Sequence, residues 1–80
     1  MRIDKFLKVS RIIKRRTVAN DACDGEHVSV NGRQVKASYT VKEGDIIEIT
    51  FGERTLKIRV VNVLEHVGKA GAAELYEVVE

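Results

Sequence analysis

Along the first part of the chain, apolar residues recur with the period of an α-helix. One side of the helical wheel carries the positions suited to burial: Ile3, Phe6, Leu7, Ser10 and Ile13. The opposite side carries a row of cations: Lys5, Lys8, Arg11 and Arg15. Asp4 is placed to cap the first turn, because aspartate readily accepts hydrogen bonds from the free amides of a helix start. The pattern predicts a first helix that begins at Asp4 and ends around Ile13 to Arg15.

A second, short helix is predicted between residues 17 and 25. Thr17 is a suitable N-cap, and Asp21 in the first turn is favoured by the helix dipole. Gly25 can provide the left-handed residue at which many helices end. The inner face of this helix would consist of Val18, Ala19, Ala22 and Cys23.

The apolar period then falls to two, as expected for half-buried strands. Residues 27–30 alternate in this way, and Asn31-Gly32 is a strong signal for a type I′ hairpin turn. Residues 33–36 would return as the partner strand. A polar connection and a turn at residues 41–45 precede an apolar strand at 46–51.

The last third continues the sheet. After a turn at Gly52-Glu53, residues 56–60 alternate, and a shift of the pattern at 61–64 indicates a bulge or bend. The small, Gly-rich stretch 66–73 predicts a mobile loop, and residues 74–79 a closing strand. The fold class is therefore α+β, with two N-terminal helices packed on a small antiparallel sheet of four to five strands.

Positive charge is concentrated at the start of the chain. The first sixteen residues hold seven of the fourteen Lys and Arg and one acid, a local net charge of +6, whereas the remaining sixty-four carry −4. A concentrated cationic surface attracts phosphates through counterion release and is typical of nucleic-acid binders. An ordinary solvated helix face mixes charge signs, but here no acid follows Asp4 until Asp21.

The candidate RNA-binding residues follow from this charge distribution. They are Arg2, Lys5, Lys8, Arg11, Lys14, Arg15 and Arg16, with Lys36 beside the hairpin as a possible extension. For Lys36, a solvated surface lysine is an equally good interpretation. Aromatic residues are few and scattered, which favours recognition of RNA shape and phosphates over base stacking.

Composition excludes several other classes of protein. The single cysteine, Cys23, cannot form an intramolecular disulfide and is expected to be a buried small hydrophobe, and the two histidines lie far apart. Neither a zinc framework, a nucleotide-binding loop nor a paired-carboxylate site is recognisable. There is no long apolar run and no signal-peptide core. We therefore expect one cytoplasmic domain spanning residues 1–80 that is monomeric and non-enzymatic, without cofactor, metal or membrane partner.

Several motifs in order resemble the S-four RNA-binding domain, named for small ribosomal subunit protein four. They are RIDKFL at 2–7, KRRTVA at 14–19, GxxVxVNGxxVK at 25–36 and VxxGDxI at 41–47. This core motif spans residues 1–50, with 51–80 as additional strands and the loop 66–73. Chain length, the basic opening and the ending AAELYEV resemble family members of ribosome-associated quality control and a related small heat-shock RNA-binding protein.

The resemblance implies a helix-and-sheet arrangement, the alpha-L motif, with RNA along the basic side and direct phosphate contacts from Arg2 and Arg16. It also implies binding of large-subunit rRNA and peptidyl-tRNA on obstructed large ribosomal subunits. There the protein would act beside a tailing factor and assist C-terminal alanine tailing of stalled nascent chains. The heat-shock relative implies an alternative, the rescue of dissociated large subunits that carry peptidyl-tRNA.

Two further classes stay open at the level of sequence. One is an RNA-modifying enzyme reduced to its binding domain. The length speaks against this class, because eighty residues leave no room for a catalytic domain. The other is a DNA-binding regulator, because phosphate attraction alone does not select RNA.

Overall fold

Two helices precede the sheet, and a short third helix lies in the connection to the last strand. The computed structural model describes residues 1–79. Its helices are α1 (Ile3–Val9), α2 (Arg16–Asp24) and α3 (Lys69–Ala72). Its strands are β1 (Val28–Val30), β2 (Arg33–Gln34), β3 (Ile46–Phe51), β4 (Arg54–Val60) and β5 (Tyr76–Val78).

The strands form one sheet in the order β2-β1-β3-β4-β5, and every neighbouring pair is antiparallel. The β3–β4 hairpin is the longest pairing and runs from Ile46 opposite Arg59 to Phe51 opposite Arg54. The predicted α+β class, with helices first and then a small antiparallel sheet, is confirmed.

The core lies between the two long helices and the sheet. Phe6 and Leu7 of α1 are completely buried, as the helical period predicted, and they share one hydrophobic cluster with the sheet. The strands contribute alternate residues to this cluster: Val28, Val30, Ile47, Ile49, Ile58 and Val60. Burial of one face of each strand fixes its register, since a shift by one residue would turn the apolar side chains outward.

The first helix is shorter than predicted and ends at Val9. Ser10 closes it by donating its hydroxyl to the carbonyl of Leu7 at 3.2 Å. Arg11 then adopts a left-handed backbone with φ of 63°, which turns the chain away from the helix axis. The β-branched residues that follow, Ile12 and Ile13, are also weak helix formers. Arg11 and Arg15 therefore lie in the connection to α2 and do not extend a row of cations along α1.

The predicted caps of both helices are wrong. The N-cap positions belong to Arg2 and Arg15, and neither side chain makes a capping hydrogen bond. Asp4 instead lies inside the first turn of α1 and is buried, and Thr17 lies inside the first turn of α2. Of the predicted inner face of α2, Ala19 and Cys23 are buried and Ala22 is half-buried, whereas Val18 is 51% exposed.

The end of α2 is where the sequence predicted it, but Gly25 does not end it by a left-handed turn. Its φ is −85°, and the left-handed residue is Glu26, with φ of 68°. Gly25 is required by close packing, because a Cβ there would lie 2.8 Å from the carbonyl oxygen of Asp21. It would also lie 3.2 Å from the ring of His27.

The β1–β2 hairpin turns at Asn31 and Gly32, both with positive φ (52° and 84°), as a type I′ turn requires. Asn31 also ties this turn to the start of β3, because its Oδ1 accepts the backbone N–H of Ile46 at 3.0 Å. The partner strand β2 is shorter than the predicted 33–36. The chain leaves the sheet because the N–H of Ala37 is bound by the Asp24 carboxylate at 3.0 Å.

The C-terminal region contains more secondary structure than its Gly-rich composition suggested. Residues 69–72 form α3 inside the stretch predicted as a loop, and Ala72 and Leu75 are buried. The irregularity predicted at 61–64 is confirmed at its start. The backbone N–H groups of Val61 and Asn62 both donate to the carbonyl of Leu75, so two residues face one, as in a bulge.

Candidate nucleic-acid interface

A buried carboxylate, that of Asp4, lies at the centre of the cationic N-terminus. Its Oδ1 accepts the backbone N–H of Lys5 at 2.7 Å and Nη2 of Arg16 at 3.3 Å. Its Oδ2 accepts Nη2 of Arg2 and Nδ2 of Asn20, each at 3.3 Å. The Asp4 side chain is 3% exposed, so its oxygens are occupied by protein donors.

Both N-terminal helices contribute to this arrangement. Arg2 is the N-cap of α1, whereas Arg16 is the first residue of α2 and Asn20 follows it by one helical turn. The irregular connection 10–15 brings the start of α2 back to the start of α1. The segment before β3 fixes the other side, since the N–H of Ile3 donates to the carbonyl of Tyr39 at 2.7 Å.

Asp4 is held in its ionised form. Burial by itself would raise the pKa of this carboxyl group. The hydrogen bonds from Asn20, Arg16 and the N–H of Lys5, together with the charge of Arg16, outweigh burial and lower the pKa below its ordinary value of 3.8. At neutral pH, Asp4 is therefore a fixed negative charge between two guanidinium groups.

Arg2 and Arg16 remain accessible although both bind Asp4. Their side chains are 49% and 46% exposed. They line an open cleft, here called the arginine cleft, whose residues are Arg2, Asp4, Arg16, Thr17, Asn20 and Asp21. A guanidinium carries five N–H donors, so each arginine keeps donors for a second oxyanion such as a phosphate.

A second cleft lies where α1 ends and is here called the lysine cleft. It has a volume of about 600 Å³ and is lined by Lys8, Val9, Arg11, Lys14, Glu65, His66 and Val67. Its three cationic side chains are exposed. A surface ion pair between Lys5 Nζ and Glu65 Oε1, at 3.3 Å, links the C-terminal wall of this cleft to the residue that follows Asp4.

The structure divides the predicted RNA-binding residues between these two clefts. Arg2 and Arg16 lie in the arginine cleft, Lys8, Arg11 and Lys14 lie in the lysine cleft, and Lys5 lies between them. Arg15 and Lys36 are exposed and line neither cleft. Lys36 directly precedes Ala37, whose carbonyl accepts the N–H of Asp4 at 3.4 Å.

The sequence did not predict that Asp4, Asn20 and the wall at 65–67 belong to the site. Asn20 had a local signal, because it follows Arg16 by four residues and so shares its helix face. Asp4 had a weaker one, since it is the sole acid in a run of seven cations. The wall at 65–67 had none, because no sequence pattern links Glu65 to Lys5 sixty residues earlier.

Other residues with functional chemistry are used by the fold. Phe6 is fully buried, and the Tyr39 hydroxyl donates to Asp45 at 3.3 Å. Cys23 is buried, as predicted. Burial is the main reason that the pKa of its thiol rises to about 11, and the charges of Asp4 and Asp24 also raise it. Within residues 1–79, no three His, Cys, Asp or Glu side chains come together as a metal site. No helix in that same stretch is long and apolar enough to cross a membrane.

Comparison with known proteins gives three kinds of match. The family model of the S4 domain matches residues 1–47. This is the S-four RNA-binding domain that the motifs resemble. The RQC P-site tRNA stabilizing factor of Halalkalibacterium halodurans is 51% identical over 98% of this chain and 89% of its own length. That of Bacillus subtilis is 44% identical over 100% and 93%. The trimeric structure of Vibrio cholerae heat shock protein 15 superposes with a TM-score of 0.91 at 29% identity, covering 99% of this chain and 81% of that one.

Proposed function

This chain belongs to the S4 domain family and, within it, to the RQC P-site tRNA stabilizing factors, and from that membership we propose its function. It is a non-enzymatic RNA-binding protein of ribosome-associated quality control in the cytoplasm. It binds large-subunit rRNA and peptidyl-tRNA on obstructed large ribosomal subunits. By holding the P-site tRNA there, it assists a tailing factor that adds C-terminal alanine to stalled nascent chains.

The observation that carries this proposal is the pair of half-exposed guanidinium groups in the arginine cleft. Arg2 and Arg16 each donate from Nη2 to the buried carboxylate of Asp4, and about half of each side chain stays exposed. Fork-shaped donors of this kind recognise phosphate oxygens with defined geometry. The adjoining Lys8, Arg11 and Lys14 add a broader phosphate-attracting surface.

Recognition rests on RNA backbone and shape more than on bases. Stacking of bases requires exposed aromatic faces near the cations. Phe6 is completely buried and Tyr39 is half-buried and bonded to Asp45, so the aromatic face that lies exposed beside the cations is the His66 ring of the lysine cleft. Arg15 and Lys36, exposed beyond the two clefts, are proposed to extend the phosphate contacts on either side.

Co-sedimentation tests the proposal. The tagged protein should migrate with free large subunits that carry peptidyl-tRNA, and not with whole ribosomes. The Arg16→Ala variant should be lost from those fractions, whereas Arg54→Ala, on the β3–β4 hairpin, should remain with them. Equal migration of both variants, or wild-type protein confined to the top of the gradient, would contradict the proposed function.

Two further experiments test whether the protein prefers RNA to DNA and whether it is an enzyme. Large-subunit rRNA should compete for the protein more strongly than duplex DNA at the same salt concentration, because A-form geometry and 2′-hydroxyls are specific to RNA. A stronger competition by DNA would favour a regulator. Modified nucleotides in tRNA or rRNA after incubation with the protein would favour an enzyme.

A second candidate is favoured by the similarity to heat shock protein 15 over nearly the whole chain. In this case the protein would rescue dissociated large subunits after heat stress. Cells that lack the protein distinguish the two roles: loss of alanine tails on stalled chains supports quality control, and accumulation of peptidyl-tRNA on free large subunits only after heat supports rescue. We propose that the protein acts as a monomer, which light scattering of the purified protein would check against the trimer of the Vibrio cholerae protein.

A further inference from the structure

We propose that Asp4 is a positioning residue that joins Arg2 and Arg16 into one clamp for a single RNA phosphate. The inference rests on the proposed RNA-binding function and deepens it. It assigns a role in RNA affinity to a carboxylate that itself cannot touch RNA, because its side chain is 3% exposed and bonded to four donors.

The geometry of the four hydrogen bonds supports a clamp. Each oxygen of Asp4 binds one guanidinium, Oδ2 that of Arg2 and Oδ1 that of Arg16, both at 3.3 Å. The two remaining donors, the N–H of Lys5 and the amide of Asn20, come from helix positions and hold the carboxylate itself in place. The two arginines are therefore fixed relative to each other although they are fourteen residues apart in sequence.

The charge of the hydrogen-bonded cluster also favours an anion at this place, although Asp21 brings the summed charge of the arginine cleft to zero. Two guanidinium groups share one buried carboxylate, so this three-residue cluster carries a net charge of +1. A half-exposed cluster with one excess positive charge and free N–H donors is suited to a phosphate diester, which carries one negative charge. Asp21 lines the same cleft, but its side chain makes no hydrogen bond or ion pair to either arginine among residues 1–79.

The physical gain is preorganisation. An exposed arginine occupies many rotamers, and ordering it on binding opposes affinity. Asp4 restricts both side chains before RNA arrives, so the phosphate meets donors that are already placed. The same carboxylate repels phosphate at long range, and this repulsion makes the proposal testable, because positioning and bulk charge predict opposite effects when the charge is removed.

The test compares two neutral substitutions in the same cleft, Asp4→Asn and Asp21→Asn. Both raise the net charge of the protein by one. Bulk electrostatics predicts tighter binding of large-subunit rRNA for each. The clamp predicts that Asp21→Asn binds as well as wild type or better, whereas Asp4→Asn binds about tenfold more weakly, which is the loss of about one charge-assisted contact.

Coupling to the arginines separates positioning from a purely structural role. In a protein that already carries Arg2→Gln and Arg16→Gln, Asp4→Asn should no longer weaken RNA binding, because only the relief of long-range repulsion remains. Circular dichroism and thermal melting establish that each variant is folded. If Asp4→Asn does not fold, Asn20→Ala replaces it. This variant removes one donor to Oδ2 without changing charge, and it should weaken binding in the wild-type background alone.

The possible outcomes are distinct. Folded Asp4→Asn that binds rRNA as tightly as Asp21→Asn overturns the clamp, and so does an equal loss in the presence and absence of the two arginines. Failure of the wild-type protein to bind rRNA at all overturns the proposed function instead.

Discussion

The two cationic clefts use positive charge in different ways. In the arginine cleft, two guanidinium groups are hydrogen-bonded to one buried carboxylate and are about half exposed. In the lysine cleft, Lys8, Arg11 and Lys14 are exposed, and the single carboxylate, that of Glu65, lies at the surface and binds Lys5. The proposed phosphate recognition therefore combines cations that are hydrogen-bonded to a buried carboxylate with cations that are solvated.

This difference shows what a count of cations leaves out. Long-range attraction depends on the number of charges and is shared by both clefts. Register and orientation on the RNA depend on donors with fixed geometry, and those are present in the arginine cleft. The proposed division of roles is that the lysine cleft attracts RNA and the arginine cleft positions it.

Both clefts depend on the same core, and removing it should have the largest effect. Truncation of a buried Phe costs roughly 3–5 kcal/mol, close to the whole stability of so small a domain. Phe6→Ala should therefore unfold the protein and abolish binding at both clefts together. Arg16→Ala should abolish binding with the fold retained. Circular dichroism of the two variants decides, and a folded Phe6→Ala that still binds RNA would contradict the placement of α1.

Charge reversal in the lysine cleft should come next in size. The double substitution Lys8→Glu and Arg11→Glu should weaken rRNA binding strongly. It should also lower the slope of log affinity against log salt by about one unit for each lost phosphate contact. Salt titrations of wild type and variant measure this slope. An unchanged slope would mean that the cations of this cleft are merely solvated. The fold should be unaffected because both side chains are exposed.

Arg-to-Lys exchanges, which keep the charge, test whether the arginine cleft depends on donor geometry more than the lysine cleft does. Arg16→Lys keeps the charge but loses the fork of donors, so we expect about tenfold weaker rRNA binding. Arg11→Lys is the matched control in the lysine cleft, and it should change affinity less than twofold. Lys5→Arg, which also keeps its charge, should likewise have little effect. Equal losses for Arg16→Lys and Arg11→Lys would show that both clefts act by bulk charge.

The smallest expected effect is a loss of folding stability at acidic pH, which arises from Asp4 in the arginine cleft. The folded-state pKa of Asp4 lies below its ordinary value of 3.8, so its ion pairs stabilise the native state above that pH. This contribution is lost as the pH falls through the folded-state pKa. Urea unfolding between neutral pH and pH of about 3 should give a weaker dependence for Asp4→Asn than for wild type. Equal pH dependence for Asp4→Asn and wild type would contradict the shift.

The predictability of each element follows the range of the interactions that define it. Strand β3 was predicted with its observed bounds, 46–51, because an apolar run between two glycine turns is a local signal. The predicted end of α1 was wrong, because the helix ends at the left-handed backbone of Arg11 and no residue type in this segment indicates such a turn. Arg2 and Arg16 were candidates by charge and were singled out as phosphate contacts through a family resemblance, whereas their common partner Asp4 was mistaken for a cap. Asp4 was misread because its bonds to Arg16 and Asn20 exist only after the two helices have packed.

The left-handed Arg11 has a consequence for engineering. A non-glycine residue in this backbone conformation costs about 1 kcal/mol that glycine would avoid, so the turn after α1 is locally strained. Glycine at this position would relax the turn and remove one cation from the lysine cleft. If Arg11 contacts RNA as proposed, a glycine that makes the domain more thermostable would lower RNA affinity, so stability and binding are opposed at this position.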